Sequence, residues 1–148
     1  MYAYTSKYID FAGTEREETA YFHLSQSDIL KMEMEVPGGY AAYGQRIIAA
    51  KNVQELMKLF DGLIKKSYGV LSPDGSRFIK GCVKPEIYDD FVSSPVYDEL
   101  FVKLLTDPDF AATFFNSIIP KELSEEIKNS PEYKAALANT VALPSSNN

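Results

Sequence analysis

The chain has no tryptophan, one cysteine and one histidine. A lone thiol, Cys82, rules out an intramolecular disulfide and any zinc site built from several thiolates, and it suits a reducing compartment. No stretch approaches the roughly 18 uninterrupted apolar residues of a membrane span, and the opening segment from Met1 to Tyr8 has no apolar signal-peptide core. The expectation is a protein neither secreted nor embedded. Bases are the minority charge, 15 Lys plus Arg against 21 Asp plus Glu for a net of −6, which disfavours non-specific nucleic-acid binding and favours solubility.

Catalytic motifs are missing too. The sequence has no Walker A loop, no dinucleotide-binding glycine pattern, no G-x-S-x-G and no H-E-x-x-H. The carboxylate pairs Glu17-Glu18, Asp89-Asp90 and Asp98-Glu99 are sequence neighbours with no histidine or cysteine motif coupled to them. His23 sits in an expected strand between Phe22 and Leu24, which are the core pair by alternation, so it reads as an exposed strand residue. Asp107-Pro108-Asp109 lacks the further oxygen ligands of a calcium loop and is explained as a helix start. Cys82, between Gly81 and Val83, reads as a small core residue. The sequence therefore assigns no catalytic residue, cofactor or metal site, and a non-enzymatic role is expected.

What is present is a sequence of 148 residues, 45% apolar, with ten tyrosines and nine phenylalanines, enough for one continuous core. Two β-branched and aromatic runs, over 4–11 and 19–24, flank a polar connection and predict a β-hairpin spanning 4–24. Isolated hairpins are marginal in water, so this one must lie on helices or accept strands from another chain.

Ser25 with Asp28 predicts a helix start, running to about Glu35 before Pro37-Gly38-Gly39; a weak helix over 41–50 follows. Asn52 with Glu55 forms a capping box for the strongest helix, whose one face carries Val53, Leu56, Met57, Phe60, Ile64 and Tyr68. Gly69 reads as a left-handed cap, and Ser72-Pro73-Asp74-Gly75 as a tight turn that folds Phe78 and Ile79 back onto Phe60 and Ile64. Pro85, Ser94-Pro95 and Asp107-Pro108 each open a further short helix, and Pro120 closes the last strong one. The fold class is thus α+β and mostly α-helical, an N-terminal β-hairpin followed by a small bundle of short helices. The expected domain is 1–123, with its helical part over 26–120. The remaining 124–148 is expected to be a weakly helical to disordered tail, with Tyr133, Leu137 and Val141 on one face and Leu-Pro-Ser-Ser-Asn-Asn disordered.

Charge comes in blocks. Residues 10–35 hold seven acids against two bases, 58–84 hold six bases (Lys58, Lys65, Lys66, Arg77, Lys80, Lys84) against two acids, and 85–110 hold seven acids against Lys103 alone. The basic block can be a solvated face, can steer an acidic partner, or can pair with an acidic block of another copy. Aromatics crowd the C-terminal helices, where adjacent pairs such as Phe114-Phe115 spread apolar surface around a narrow cylinder. Most are core, but Tyr97, Phe101, Phe110, Phe114 and Phe115 are the candidate partner-binding residues, on helices able to receive an amphipathic helix.

The central run Phe60-x-x-x-Ile64-x-x-Ser67-Tyr68-Gly69-x-x-Ser72-x-Asp74-Gly75-x-x-Phe78-x-Lys80 is followed by Phe91, Tyr97 to Leu100, and Phe114 to Pro120-Lys121. Together with the Tyr21-Phe22-His23-Leu24-Ser25 junction, this order of elements resembles the tail assembly chaperones of long-tailed bacteriophages of Gram-positive hosts, over about residues 20–120. In that reading Gly69, Ser72, Pro73, Asp74 and Gly75 form a scaffold turn. The resemblance implies a chaperone that binds and solubilises the tape measure protein and helps recruit the tail tube protein, with no cofactor and no membrane. It also implies action in the host cell cytoplasm and absence from the mature virion, and such families commonly make a longer product by ribosomal frameshifting. Hairpin edges and charge blocks add a possible homo-oligomer. The alternatives are a nucleic-acid-associated phage regulator using the 58–84 block, for which nucleic acid is an unlikely partner on net charge, or a minor virion structural protein.

Overall fold

The computed structural model describes residues 1–145, with side chains through Asn139. The elements are β1 (Tyr2–Ile9), β2 (Glu15–Phe22), α1 (Gln26–Glu35), α2 (Tyr40–Ala50), α3 (Val53–Ser67), β3 (Tyr68–Leu71), β4 (Phe78–Lys80), α4 (Pro85–Val92), α5 (Pro95–Thr106), α6 (Pro108–Ile118), α7 (Lys121–Lys128) and α8 (Pro131–Ser145). The architecture is the expected mostly helical α+β. The sheet, however, has four antiparallel strands in the order β1-β2-β3-β4.

The two extra strands revise the reading of the Tyr68–Gly75 segment. Gly69 is not a left-handed cap, since the positive-φ glycines are Gly13, Gly38, Gly39 and Gly75. It is a strand residue paired with Lys80. A Cβ there would lie 2.5 Å from the Ile79 carbonyl oxygen and 2.7 Å from the Phe78 ring, so the missing side chain lets β4 approach. Ser72 to Arg77 then form the tip of a second hairpin. Asp74 Oδ1 accepts from the Ser72 hydroxyl (2.7 Å), the Ser76 hydroxyl (2.8 Å) and the Ser76 N–H (3.0 Å). Those bonds, the Ser76 N–H first, hold the Asp74 carboxyl down at about 2. Phe78 meets the His23 ring edge-on at 5.6 Å, while the ring against Phe60 is that of Phe114, at 6.1 Å.

Local capping chemistry follows the sequence closely. Ser25 and Asp28 form a reciprocal capping box on α1. Asn52 accepts from the Glu55 N–H at 3.1 Å. Ser94 and Asp107 accept from the N–H groups three residues on, each ahead of a proline in the first turn of α5 and α6. These side chains satisfy backbone donors that have no partner inside their helix.

Helix faces depend on neighbours as well as on period. In α3 the buried set is Leu56, Leu59, Phe60, Leu63 and Ile64, whereas Val53 and Met57 are exposed. The helix lies between α2 and α5, and that pair rotates its inner face toward Leu59 and Leu63. Cys82 is exposed rather than core, because it falls in the turn after the edge strand β4. His23 lies just past the end of β2, half-buried, with Phe22 and Leu24 in the core on either side.

Residues 124–148, expected as a weakly helical to disordered tail, lie largely in α7 and α8 as far as residue 145, and Ile127 and Tyr133 join the core. The link is a buried carboxylate. Glu33, 1% exposed, accepts from the Ala41 N–H (3.0 Å) and the Ser124 hydroxyl (2.6 Å) through Oε1, and Lys128 Nζ lies 3.8 Å from Oε2. The residue before α2 is Gly39, which has no side chain to cap with, so Glu33 on α1 performs that task and binds α7 with the same oxygen. Leu137 is exposed, the Val141 side chain lies outside the described residues, and so do residues 146–148 of the expected disordered end.

Three outcomes are expected in urea unfolding. Glu33→Ala strands the Ala41 N–H and the Ser124 hydroxyl and removes the carboxylate beside Lys128, and should cost about 3 kcal/mol. Gly69→Ala should cost about 2 kcal/mol by driving β4 away, more than an alanine at half-buried Gly62, where a Cβ would meet nothing within 4 Å. Burial pushes the Asp28 carboxyl up, but hydrogen bonds from Lys80 at 2.6 Å and from Ser25 outweigh it and leave it below its usual value. A depressed folded-state value stabilises above the unfolded-state value and is lost as pH falls through the folded one, so Asp28→Asn should flatten the acid limb of the stability curve below about pH 4.

Candidate functional site

The apolar side chains of α5 fall into two neighbouring stripes. Val96, Leu100 and Leu104 are at most 1% exposed and form the inner seam. Tyr97, Phe101 and Leu105 follow each of them by one residue, about 100° around the helix, and all three are half-buried. Proline and the Ser94 cap start the helix at a fixed residue, which sets where both stripes point.

The second stripe is ordered by its own contacts. The Tyr97 and Phe101 rings stack at 5.7 Å with 17° between planes, and Tyr97 meets buried Phe91 edge-on at 5.5 Å. Burial first, then the nearby Asp61 carboxylate, pushes the Tyr97 hydroxyl upward, so it stays protonated and neutral at physiological pH. The stripe runs on at Leu105 into a small apolar dimple of about 60 Å³, lined by Ile48, Leu56, Leu104, Leu105 and Pro108 with Lys51 at its edge. It is a shallow apolar ledge with anchors one helical turn apart. Such a surface can take the apolar face of another helix.

The other candidates lie elsewhere. Phe110 is half-buried beneath Lys103, whose ammonium lies 4.4 Å from the ring centroid, and it meets Tyr4 at 5.8 Å. Lys103 and Glu99 occupy the opposite flank of α5, where Glu99 accepts hydrogen bonds from Ser6 and from Tyr4, whose hydroxyl is pushed up to about 12 by burial and then by that carboxylate. Phe110 thus belongs to the seam between α5, α6 and β1.

Phe114 and Phe115, expected to leave apolar surface around the cylinder, are both 0% exposed. The helix α6 is covered on two sides, which is what two adjacent residues 100° apart need in order to be buried together. Phe114 packs on Tyr2 and Phe22 of the sheet, both at 5.2 Å. Phe115 stacks on Tyr40 at 6.2 Å and presses on α2 at Gly44, where a Cβ would lie 2.1 Å from its ring.

Sequence reasoning assigns Leu105 no partner-binding role and places Phe11, which is 93% exposed at the tip of the first hairpin, at the end of a strand run. Phe11 ends the 4–11 run directly before Ala12-Gly13, and in the structure it lies past the end of β1 in the turn, where no strand face buries it. The basic block is partly answered within the chain, with Lys66 2.7 Å from Glu35 and Lys80 2.6 Å from Asp28. No helix among the described residues is long and apolar enough to cross a membrane.

A family model described as phage tail assembly chaperone matches residues 1–147. The match extends beyond the 20–120 region of motif resemblance to take in β1 and the helices α7 and α8. Neither a curated protein nor a solved structure matches the chain. With a family model covering both hairpins and every helix of the bundle, the chain belongs to the phage tail assembly chaperone family.

Proposed function

We propose that this chaperone binds and solubilises the tape measure protein, and that it helps bring the tail tube protein to it, in the host cell cytoplasm and outside the mature virion. The observation that carries the reading is the half-buried Tyr97, Phe101 and Leu105 stripe beside the inner seam of α5. A stripe that remains partly in water is unsatisfied apolar surface on an otherwise acidic protein, and an amphipathic helix completes it without cofactor or nucleotide. Phe110 sits on the far flank under Lys103 and contributes to placing α6. Phe114 and Phe115 act from the core by holding α6 in place.

Self-association through the hairpin edges belongs to the same reading, since β1 and β4 end the sheet on either side. The nucleic-acid alternative is weakened by the pairing of Lys66 and Lys80 with α1 carboxylates. DNA and RNA are expected to show no mobility shift with this protein even at low salt, where phosphate contacts are strongest.

Co-expression with a tape measure protein tests the stripe. The variant Tyr97→Ser, Phe101→Ser should leave the tape measure protein in the insoluble fraction, while circular dichroism reports a folded chaperone destabilised by about 2–3 kcal/mol. Unchanged solubilisation by that folded variant would remove the stripe from the mechanism.

A further inference from the structure

The two hairpins share only their base. Strands β1 and β2 pair continuously from Tyr2 with Phe22 to Ile9 with Glu15, but β2 pairs with β3 at Tyr21 and Phe22 alone. From Ala20 toward the tip they part, so residues 15–20 of β2 have no strand on their second edge among the described residues. An unpaired edge presents a row of backbone donors and acceptors that a further strand can complete.

This open edge borders a cleft. A cavity of about 380 Å³ lies between the first hairpin and the junction of α4 with α5. Its aromatic surface is supplied by Tyr8, Phe11, Tyr68 and Phe91, with Glu18 and Asp90 facing it and no lysine or arginine in its lining. Asp10 also lines the cleft, but it is committed to the hairpin tip. It accepts from Arg16 Nε (2.7 Å) and from the Ala12 and Thr14 N–H groups (2.9 and 2.8 Å), and the Arg16 bond first among these keeps its carboxyl below the usual value. The acids left to face the cleft are therefore Asp90 and Glu18, the latter accepting from the Tyr8 hydroxyl at 3.3 Å and lying within the field of Arg16.

The organised tip holds Phe11 at the lip of the cleft almost wholly in water. A large apolar side chain kept in solvent by a well hydrogen-bonded turn is a cost to the isolated protein, offset only when something covers the ring. We propose that this cleft receives an extended segment of another protein, carrying basic and apolar side chains in turn on one face, which adds as a strand to the open edge of β2 while Phe11 closes over it. The backbone edge supplies affinity without regard to sequence. Glu18, Tyr8 and Tyr68 share the helix-facing side of the sheet, so on the one face of the added strand that turns to the cleft the acids select lysine or arginine and the aromatics take apolar side chains at successive alternate positions. A six-residue strand is about 20 Å long, the length of the free edge. This site is separate from the α5 stripe, so its failure leaves the helix-binding reading intact, and the reverse also holds.

The probe is the blocked hexapeptide Lys-Thr-Val-Thr-Lys-Thr, which carries lysine and valine on one face, titrated into the full chain, with Glu-Thr-Val-Thr-Glu-Thr as its control. Saturable binding of the basic probe is expected, together with slowed amide hydrogen exchange in residues 15–20. The variant Glu18→Lys, Asp90→Lys should weaken the basic probe about tenfold or more and bind the acidic one. Phe11→Ser should weaken the basic probe several-fold with no loss of thermal stability, because the ring is already exposed. The proposal is overturned if the wild type binds both hexapeptides alike, if exchange in residues 15–20 is unchanged, or if Phe11→Ser has no effect. It is equally overturned if Phe11→Ser abolishes self-association in sedimentation while the basic probe never binds, since the cleft then belongs to a second copy.

Discussion

Everything in this fold is referred to the ring of Phe22. It has no exposed surface and meets Tyr2, Tyr68, Phe91 and Phe114 at centroid distances of 5.2 to 6.5 Å. Those four rings come from β1, β3, α4 and α6, so one side chain joins both hairpins to the helical layer. Edge-to-face contacts of this kind add direction to apolar burial, because the ring quadrupoles favour tilted approaches. Phe114 then passes the constraint on to Phe60 of α3. The sheet and the helices cannot shift separately without opening this cluster.

A second constraint, polar instead of apolar, closes the opposite side. Glu33 substitutes for the capping side chain that Gly39 lacks, and the oxygen that caps α2 also accepts from Ser124 on α7. A buried carboxylate is expensive unless its oxygens are served. The cost is moderated by Lys128, which lies near Oε2 and also donates to the Gly38 carbonyl oxygen. The C-terminal helices are consequently part of the scaffold, which accords with a family match that reaches residue 147.

Among the apolar side chains that the closed core leaves wholly or partly in water are the Tyr97, Phe101, Leu105 shoulder of α5 and Phe11 at the tip of the first hairpin. One is a helical ledge and the other overhangs an open strand edge. On the readings proposed above they would accept chains of different shape, a helix at one and a strand at the other.

Much of this was legible in the residues themselves, wherever the governing interaction is local. Ser25 with Asp28, Asn52, Ser94 with Pro95 and Asp107 with Pro108 each place a helix start, because a cap and its target N–H are three residues apart. The β-branched and aromatic runs over 4–11 and 19–24 placed a hairpin, and the order of motifs from Phe60 to Pro120 placed the family. What the tertiary structure alone decided is which apolar face turns inward and which segments pair. Val53 and Met57 have the same period as Leu56 and Phe60, yet the positions of α2 and α5 leave them in water. Gly69 carries the residue type of a helix cap, but the approach of Ile79 and Phe78 makes it a strand position. Phe114 and Phe115 show the limit most directly. A sequence reveals that two neighbours cannot share one helix face, but only the packing of a sheet on one side and α2 on the other determines that both are buried.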